Sequence, residues 1–306
     1  MRKRLLGGSG LQVPVVTLGG NVFGWTVDEP NTFRLLDRAV DLGLTFFDTA
    51  DIYSAWVPGN KGGESEALIG KWLARSGKRN QVTIATKVGM DHGLGAAHIK
   101  SAVEASLKRL GTDYIDIYFA HKDDDKTPLD ETLTVFEKLV AEGRIRAAGA
   151  SNYNGPRLRE ALAISNVYTV LQPEYNLVER AGYETGLAPV VAEHNLGVVP
   201  YYSLASGFLS GKYRKAEDLA GRARAGGAGK YLNARGLTIL GALDEVAQNC
   251  NATDAQVAIA WLIEQPGITS AIASATNLNQ LEELAKAAEL RLDTPSLAKL
   301  NAASLG

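Results

Sequence analysis

Short apolar or β-branched runs alternate with amphipathic segments along almost the whole of this 306-residue chain. The runs have the length and composition of buried strands. The segments between them place apolar residues three and four positions apart, which is typical of helices packed on one face. Strands that alternate with helices form parallel sheets covered by helices. The chain contains eight strand runs: VPVVTLG, LTFFDTA, VTIATK, YIDIYFAH, IRAAGAS, YTVLQPE, VVPYYSL and ITSAIAS.

Eight strand–helix units in about 300 residues favour the α/β class and a (β/α)8 TIM barrel. Residues beyond these units concentrate in 53–63 and 208–235, so we expect additional helices and long loops at the C-terminal face of the barrel. No change in composition marks a linker, and we therefore expect one domain over residues 1–306. Helices are predicted over residues 31–42, 64–75, 98–110, 130–142, 156–164, 185–195, 235–249, 254–264 and 278–289.

A doubly wound parallel sheet is the alternative arrangement for the same alternation. Such a sheet usually carries a G-x-G-x-x-G turn after its first strand, and the stretch LGGNVFGW does not have that spacing. A phosphate-binding Walker A loop is also absent, because Arg224 replaces its first glycine and Tyr231 replaces its final Ser or Thr. Both observations favour the barrel.

The composition limits the kinds of partner and the cellular compartment that we expect. The formal net charge of −2 indicates neither a nucleic-acid nor an anionic-membrane partner. The sequence contains no run of 18 apolar residues, which a membrane-spanning helix would need. The single cysteine, Cys250, cannot form an internal disulfide. We therefore expect a cytoplasmic protein that binds neither nucleic acid nor membrane.

Polar residues follow the predicted strands where each strand ends. The second, third and fourth strands end in Asp48, Lys87 and His121, and Tyr53 follows Asp48 by five positions. Each residue alone is also compatible with a turn cap, a solvated lysine, a core histidine or a loop aromatic. Because the carboxyl ends of barrel strands share one face, we expect the four side chains to gather around one mouth. Later strands end in Ser151–Asn152, Gln172, Tyr201, Ser274 and Thr276.

This set of side chains suits hydride transfer to a carbonyl group. A tyrosine can donate a proton to the developing alkoxide, although its ordinary pKa is about 10. A neighbouring lysine ammonium favours the phenolate and is expected to lower that pKa, while an aspartate holds the lysine. A neutral histidine can donate a hydrogen bond to the carbonyl oxygen. The same groups can run in reverse as an alcohol dehydrogenase.

The chain resembles the aldo-keto reductase family over essentially its full length. The stretches that carry the resemblance are FFDTADIY, IATKVG, DYIDIYFAHKDD, GASNY, LQPEYN and PYYSLASGFLSGKY, and the last of these is similar to the potassium-channel β-subunit branch. NVFGWT and YSAWVPGNKGGESE look like bacterial members. The catalytic tetrad of the family matches Asp48, Tyr53, Lys87 and His121.

The resemblance implies a nicotinamide dinucleotide bound across the barrel mouth. Tyr201 matches the ring that stacks on the nicotinamide, although Tyr202 stands where the family often has serine and leaves a second tyrosine open for this role. The loop after the seventh strand is expected to follow the pyrophosphate, and the last helix the adenosine. The expected cofactor-binding residues are Gly20, Asn21, Ser151, Asn152, Gln172, Tyr201, Leu204, Ser206, Gly207, Lys212, Arg222, Thr276, Gln280 and Glu283.

NADP(H) is the expected cofactor, with NAD(H) as the alternative. Many NADPH-binding members of the family carry an arginine where this chain has Thr276. Two features can compensate: the amides of the predicted helix that begins near Asn277, and the basic loop residues. These residues are Lys212, Arg214, Arg222, Arg224 and Lys230.

The resemblance predicts an enzyme that reduces aldehydes, ketones or sugars, with Tyr53 as general acid. Trp25 and Trp56 lie in predicted mouth loops, where they either wall the substrate pocket or pack the loops. A cofactor-binding regulatory subunit with little turnover is the alternative function, and retention of His121 favours the enzyme. A barrel hydrolase would leave Tyr53 and Lys87 without a role. No metal is expected, since the acidic run at 123–125 is typical of a solvated loop. The substrate and the oligomeric state stay open.

Overall fold

The chain is described from a computed structural model that covers residues 1–305. Gly306, the final residue of the expected domain, lies outside the described residues. Ten strands are found in this part of the chain. They are β1 (Lys3–Leu5), β2 (Gln12–Pro14), β3 (Val16–Gly19), β4 (Phe46–Asp48), β5 (Thr83–Val88), β6 (Ile115–Ala120), β7 (Ile145–Ser151), β8 (Tyr168–Gln172), β9 (Gly197–Val198) and β10 (Ala271–Ala273).

Helices follow most strands and cover the outside of the sheet. A π-helical segment, Gly182–Leu187, leads into the sixth helix, where Pro189 stands in the first turn. The α-helices are α1 (Glu29–Asp41), α2 (Glu64–Ser76), α3 (Ala96–Leu110), α4 (Leu129–Ala141), α5 (Gly155–Ile164), α6 (Ala188–His194), α7 (Ala225–Gly229), α8 (Ala234–Cys250), α9 (Asp254–Ile263), α10 (Leu278–Glu289) and α11 (Thr294–Ser304).

Strands β3 to β10 form one parallel sheet that closes on itself. Along the sheet the order is β10-β3-β4-β5-β6-β7-β8-β9, so neighbours in the chain are neighbours in space. The two ends meet through backbone hydrogen bonds from Thr269 N to Val198 O (2.9 Å) and from Ile272 N to Pro200 O (3.0 Å). The predicted (β/α)8 barrel with additional helices is confirmed, and the doubly wound alternative is wrong.

The barrel interior is apolar at its lower end and polar at its upper end. Because side chains alternate along a strand, every second residue points inward. The inward residues of the lower layers form one buried cluster, which includes Phe46, Ala85, Phe119 and Val170. Each of these apolar residues is followed, two positions later, by a polar residue: Asp48, Lys87, His121 and Gln172. The same register that packs the core therefore presents polar side chains at the C-terminal face.

The sequence patterns did not reveal the antiparallel hairpin of β1 and β2. Leu6, Leu11 and Val13 pack into the interior cluster and close the lower end of the barrel. The predicted first strand is divided, because Val13 and Pro14 belong to this hairpin and the barrel strand begins at Val16. The last helix, α11, was also missed, and it packs against α8.

The seventh barrel strand is shorter than predicted. It contains only Gly197–Val198, although Val199 N and Tyr201 N still bond to carbonyls of the β8 side of the barrel. Proline has no amide hydrogen, so Pro200 cannot continue the ladder. Trp72 of α2 and Trp261 of α9 are fully buried in the hydrophobic core. No helix within residues 1–305 is long and apolar enough to cross a lipid bilayer.

Candidate active site

Strands β4 and β5 bring a lysine and an aspartate together beneath the barrel mouth. Lys87 is fully buried, and its Nζ lies 2.8 Å from each carboxylate oxygen of Asp48. The ammonium also donates to the backbone oxygen of Thr49 (2.7 Å) and to the hydroxyl of Tyr53 (3.1 Å). Three acceptor groups surround the lysine, as an ammonium requires in a buried site.

A short loop after β4 holds Tyr53 over this pair. The loop begins with the backbone hydrogen bond from Thr49 N to Ala85 O, and Tyr53 N closes a turn on Ala50 O. Ser54 follows in a left-handed conformation (φ 72°), and its hydroxyl donates to the backbone oxygen of Phe23. These bonds fix the phenol where it meets both Lys87 and the cavity above.

The pKa of Tyr53 departs from the sequence-based expectation. Burial of the phenol and the Asp48 carboxylate, whose Oδ2 lies 3.3 Å from the hydroxyl, raise the pKa well above its ordinary value. The expected lowering by Lys87 fails because the same carboxylate already neutralises the ammonium. Burial lowers the pKa of Lys87, and Asp48 opposes that shift. Tyr53 is therefore a fully protonated phenol at neutral pH.

His121 follows β6 and faces Tyr53 with its ring. The two ring centroids are 6.2 Å apart. Nδ1 is buried without a hydrogen-bond partner among residues 1–305, which leaves Nε2 as the nitrogen that can reach a ligand. Burial, reinforced by the charge of Lys87, lowers the pKa of His121 to about 2. The imidazole is neutral, and the tautomer with hydrogen on Nε2 avoids burying an unpaired donor.

We expect His121 to stay neutral down to about pH 3. Because its pKa is lower in the folded state, the unfolded chain takes up this proton below about pH 6.5 and the folded protein does not. As the pH falls below 6.5, His121 should therefore lower the unfolding free energy by about 1.4 kcal/mol for each pH unit. Imidazole NMR signals recorded from pH 3 to 8 measure the protonation of His121, and the His121→Gln variant assigns its resonance. A titration midpoint near pH 6.5 would contradict the expectation.

The residues at the ends of β7, β8 and β9 form a connected hydrogen-bond network around the mouth. Ser151 Oγ donates to the backbone oxygen of Gln172, and Asn152 Nδ2 donates to the backbone oxygen of His121. Tyr201 donates its hydroxyl to Asn152 Oδ1 (2.7 Å). Asn152 adopts a left-handed conformation, which asparagine tolerates. This network fixes the orientation of the Asn152 amide and of the Tyr201 ring.

Gln172 has a contact that the sequence did not predict. Its Nε2 donates to Asp48 Oδ1 (2.9 Å), so the side chain expected to bind cofactor supports the aspartate. Tyr201 is the better placed of the two adjacent tyrosines, because its hydroxyl is anchored in the mouth while Tyr202 is 50% exposed. Both tyrosines line the cavity, so the stacking role of Tyr201 stays a prediction.

A cavity of about 980 Å³ opens above these side chains. Asp48, Tyr53 and His121 line it, whereas Lys87 lies beneath them. Trp56 lines one wall. The expected cofactor-binding residues that line the cavity are Asn21, Ser151, Asn152, Gln172, Tyr201, Leu204, Ser206, Gly207, Lys212, Arg222, Thr276, Gln280 and Glu283.

Gly20 and Trp25 are not among the lining residues. Gly20 lies against the end of β4, where its amide donates to the backbone oxygen of Asp48, and an added Cβ would lie 2.9 Å from that oxygen. Trp25 packs edge-on against Trp56, with ring centroids 5.6 Å apart. Gly20 and Trp25 therefore contact lining residues, Asp48 and Trp56, without lining the cavity themselves, and their predicted roles stay predictions.

Other lining residues were not predicted as site residues. Ile52 and Met90 follow the strands that carry Asp48 and Lys87, and their place just after those strands is the signal that could have revealed them. Asp51, the second acid of FFDTADIY, lines a separate cavity of about 390 Å³. Burial and the nearby Glu66 raise the pKa of Asp51 to about 7.

The basic loop residues divide into two groups. Arg214 pairs with Asp244 and Asp254, and Lys230 pairs with Glu179, so both are engaged outside the cavity. Lys212, Arg222 and Arg224 line the cavity, and no carboxylate among the described residues forms an ion pair with them. The cavity therefore has three positive charges available to an anionic ligand.

The amino end of α10 is partly occupied by its own side chains. Asn277 accepts the amide of Gln280, and Gln280 Oε1 in turn accepts the amide of Thr276 (2.8 Å). Positive charge near the amino end of α10 therefore depends more on the loop cations than on the helix amides.

Two residues of the acidic run at 123–125 are engaged locally. Asp123 pairs with Arg157, and Asp124 accepts the amide of Leu94.

Comparison with known proteins agrees with this architecture. A sequence model of the Aldo/keto reductase family matches residues 15–304. The uncharacterized oxidoreductase YrpG of Bacillus subtilis (strain 168) is 36% identical, covering 98% of this chain and 95% of its own. An L-glyceraldehyde 3-phosphate reductase of Escherichia coli O157:H7 is 31% identical (98% and 92%). A probable voltage-gated potassium channel subunit beta of Arabidopsis thaliana is also 31% identical (95% and 92%). The chain belongs to the aldo/keto reductase family of oxidoreductases.

Proposed function

We propose that the protein reduces aldehyde or ketone carbonyls to alcohols with NADPH, and oxidises alcohols or sugars in reverse. The observation that carries this proposal is the contact between a buried lysine–aspartate pair and a phenol at the base of the cavity. Tyr53 is 3.1 Å from Lys87 Nζ, and His121 lines the same cavity. A hydrolase would need two free carboxyl groups, but Asp48 is bound to Lys87 through both oxygens.

Tyr53 acts as the general acid in this proposal. When bound, the nicotinamide cofactor supplies the hydride to the carbonyl carbon. The carbonyl oxygen gains negative charge, and Tyr53 transfers its hydroxyl proton to that oxygen. Lys87 already donates a hydrogen bond to the phenol oxygen, so it stabilises the phenolate as the proton leaves.

His121 orients the carbonyl group beside Tyr53. Its neutral ring can donate one hydrogen bond from Nε2 to the oxygen that accumulates charge. A charged imidazolium would compete with Tyr53 for the role of acid, and the lowered pKa of about 2 prevents this at neutral pH. Because its ring is buried, His121 stays neutral and acts as a hydrogen-bond donor, while Tyr53 acts as the acid.

The residues around the mouth fit a nicotinamide dinucleotide. Asn152 and Tyr201 are held by each other at the end of the barrel strands, where an amide and an aromatic face can meet a flat polar ring. Lys212 and Arg222, which form no ion pair with residues of the described part of the chain, supply positive charge for phosphates along the loop after β9. The cavity of about 980 Å³ lies at the upper end of the range usual for ligand sites.

The preference for NADPH over NADH is expected to depend on salt. Lys212 and Arg222 are solvent-exposed, so their attraction to an additional phosphate is screened by ions. We expect NADPH to bind several-fold more tightly than NADH at low ionic strength, with a smaller difference at high salt. Quenching of tryptophan fluorescence measures both dissociation constants.

Lys212→Met and Arg222→Met should each reduce that preference. Lys230→Met is the matched control, because Lys230 pairs with Glu179 outside the cavity. Equal or tighter binding of NADH at low salt would refute the NADPH preference without affecting the assignment of Tyr53.

A cofactor-binding regulatory subunit is the second candidate, and the similarity to a probable channel β subunit supports it. A screen of aldehydes, ketones and sugars with both reduced cofactors separates the two functions. Turnover that depends on Tyr53 supports the enzyme. Tight cofactor binding without turnover on any carbonyl would favour the regulatory subunit.

A further inference from the structure

We propose that Arg224 forms an anion-binding subsite beside Tyr53, so that the preferred substrates are carbonyl compounds that carry a carboxylate or phosphate group. This inference rests on the proposed reductase function and specifies its substrate class. Arg224 belongs to the long loop between β9 and α8 and lines the cavity above the barrel. Its guanidinium lies near Trp25, and no carboxylate among residues 1–305 forms an ion pair with it.

Contacts place Arg224 at the Tyr53 end of the cavity. Its guanidinium carbon lies 5.8 Å from the centre of the Trp25 ring. Trp25 packs edge-on against Trp56, and the Trp56 ring centroid is 6.1 Å from that of Tyr53. The two tryptophans thus connect Arg224 to the proposed acid. A substrate whose carbonyl oxygen meets Tyr53 can extend along Trp56 towards the guanidinium.

Within residues 1–305, Arg224 has no ion-pair partner of the kind that comparable arginines have. It donates one long hydrogen bond of 3.5 Å to Asn21 Oδ1, and that oxygen already accepts a shorter bond of 2.6 Å from Ser274. Arg4, which is also partly buried, donates to two backbone carbonyls. The other partly buried arginines within residues 1–305 all form ion pairs with carboxylates: Arg2, Arg38, Arg79, Arg109, Arg144, Arg157 and Arg180.

A partly buried guanidinium without a counter-charge is costly unless a ligand supplies one. Burial lowers the pKa of Arg224, and the groups that oppose this shift are the phenols of Tyr202, Tyr213 and Tyr53, none of them a carboxylate. Guanidinium groups bind carboxylate and phosphate in a bidentate geometry, through two parallel N–H···O hydrogen bonds. An anionic group on the substrate would complete the site and would also orient the carbonyl towards Tyr53.

A matched pair of aldehydes tests the proposal on the intact enzyme with NADPH. 4-Carboxybenzaldehyde and methyl 4-formylbenzoate have the same ring and aldehyde, and only the first carries a charge. We expect the wild-type kcat/KM to be at least about 10-fold higher for the carboxylate. Arg224→Met should lower kcat/KM for the carboxylate by about 10- to 100-fold, mainly through KM, and change the ester by less than about threefold.

Two further variants separate charge from geometry. Arg224→Lys keeps the positive charge but loses the bidentate hydrogen-bond donor, so it should retain only part of the preference for the carboxylate-bearing aldehyde. Lys215→Met removes a positive charge from an exposed residue of the same loop that does not line the cavity, and it should leave the preference unchanged. The wild-type comparison of the two aldehydes stands without any variant, so a variant that fails to fold does not remove the test.

Dissociation constants of NADPH show whether Arg224 binds a phosphate of the cofactor and not an anionic group of the substrate. If Arg224→Met weakens NADPH binding and lowers turnover of both aldehydes equally, the guanidinium binds a cofactor phosphate and the proposal is overturned. Equal wild-type kcat/KM values for acid and ester also overturn it.

Binding of the unreactive 4-methylbenzoate to the NADPH complex distinguishes failure of the subsite from failure of the reductase function. If neither aldehyde is reduced but 4-methylbenzoate binds and Arg224→Met abolishes its binding, the anion subsite stands while carbonyl reduction fails. Absence of 4-methylbenzoate binding to the wild-type complex overturns the subsite.

Discussion

Replacing Tyr53 by Phe is expected to lower kcat for carbonyl reduction by about 10²-fold or more, because the substitution removes the proposed proton donor. The ring stays, and Lys87 keeps its contacts with both oxygens of Asp48 and with the backbone oxygen of Thr49. The fold and the cofactor affinity should therefore change little. Steady-state kinetics with an aldehyde that the wild-type enzyme reduces, together with NADPH titration, measure the effect.

Tyr114→Phe is the matched control for this substitution. Tyr114 precedes β6, away from the cavity, and its ring lies under the guanidinium of Arg79. The control loses a hydroxyl of the same kind and should keep full activity. Near-normal turnover of Tyr53→Phe would exclude Tyr53 as the general acid, whatever the behaviour of the control.

Removing the ammonium beside Tyr53 should impair both turnover and its pH dependence. In the proposed mechanism, oxidation requires the Tyr53 phenolate to accept the proton of the alcohol, so we expect the rate to rise with pH through the pKa of Tyr53. Lys87 donates a hydrogen bond that favours the phenolate, whereas burial and Asp48 oppose it. In Lys87→Met we therefore expect the rising limb of the pH–rate profile to move to higher pH and kcat at neutral pH to fall by about 10²-fold or more.

Stability must be controlled in this experiment. Lys87→Met leaves the Asp48 carboxylate buried without its partner, which typically costs about 3–5 kcal/mol of folding free energy. The double variant Lys87→Met/Asp48→Asn leaves no unpaired charge and should recover much of that loss while kcat stays low. Asp48→Asn alone should lower kcat less, because Lys87 retains Thr49 and Tyr53 as acceptors. An unchanged pH profile in Lys87→Met would mean that the lysine has only a structural role.

The sequence determined the barrel and the identity of its polar end residues. Eight buried strands separated by helices satisfy their backbone hydrogen bonds as a closed parallel sheet, and the period of two fixes which residues face inward. Asp48, Lys87 and His121 each follow an apolar inward residue two positions earlier in the chain. Their approach to a common mouth was therefore predictable from spacing alone.

Only the tertiary structure decided how these residues influence one another. The pKa of Tyr53 depends on whether Lys87 or Asp48 dominates its surroundings. The Tyr53 hydroxyl lies 3.3 Å from Asp48 Oδ2, five positions away in the sequence, and 3.1 Å from Lys87 Nζ, 34 positions away, and only the folded structure gives these distances. Sequence reasoning expected the lysine to dominate. The carboxylate neutralises that charge, so burial of the phenol decides the direction.

Loop charges show the same division between sequence and structure. Six basic residues lie between 212 and 230 in the sequence, but their spacing could not show which of them had acidic partners. Asp244, Asp254 and Glu179 come from other parts of the chain and engage Arg214 and Lys230. Arg224 lines the cavity and forms no ion pair with a carboxylate within residues 1–305. Long-range packing, which local sequence patterns do not encode, determines which of the loop cations have an acidic partner.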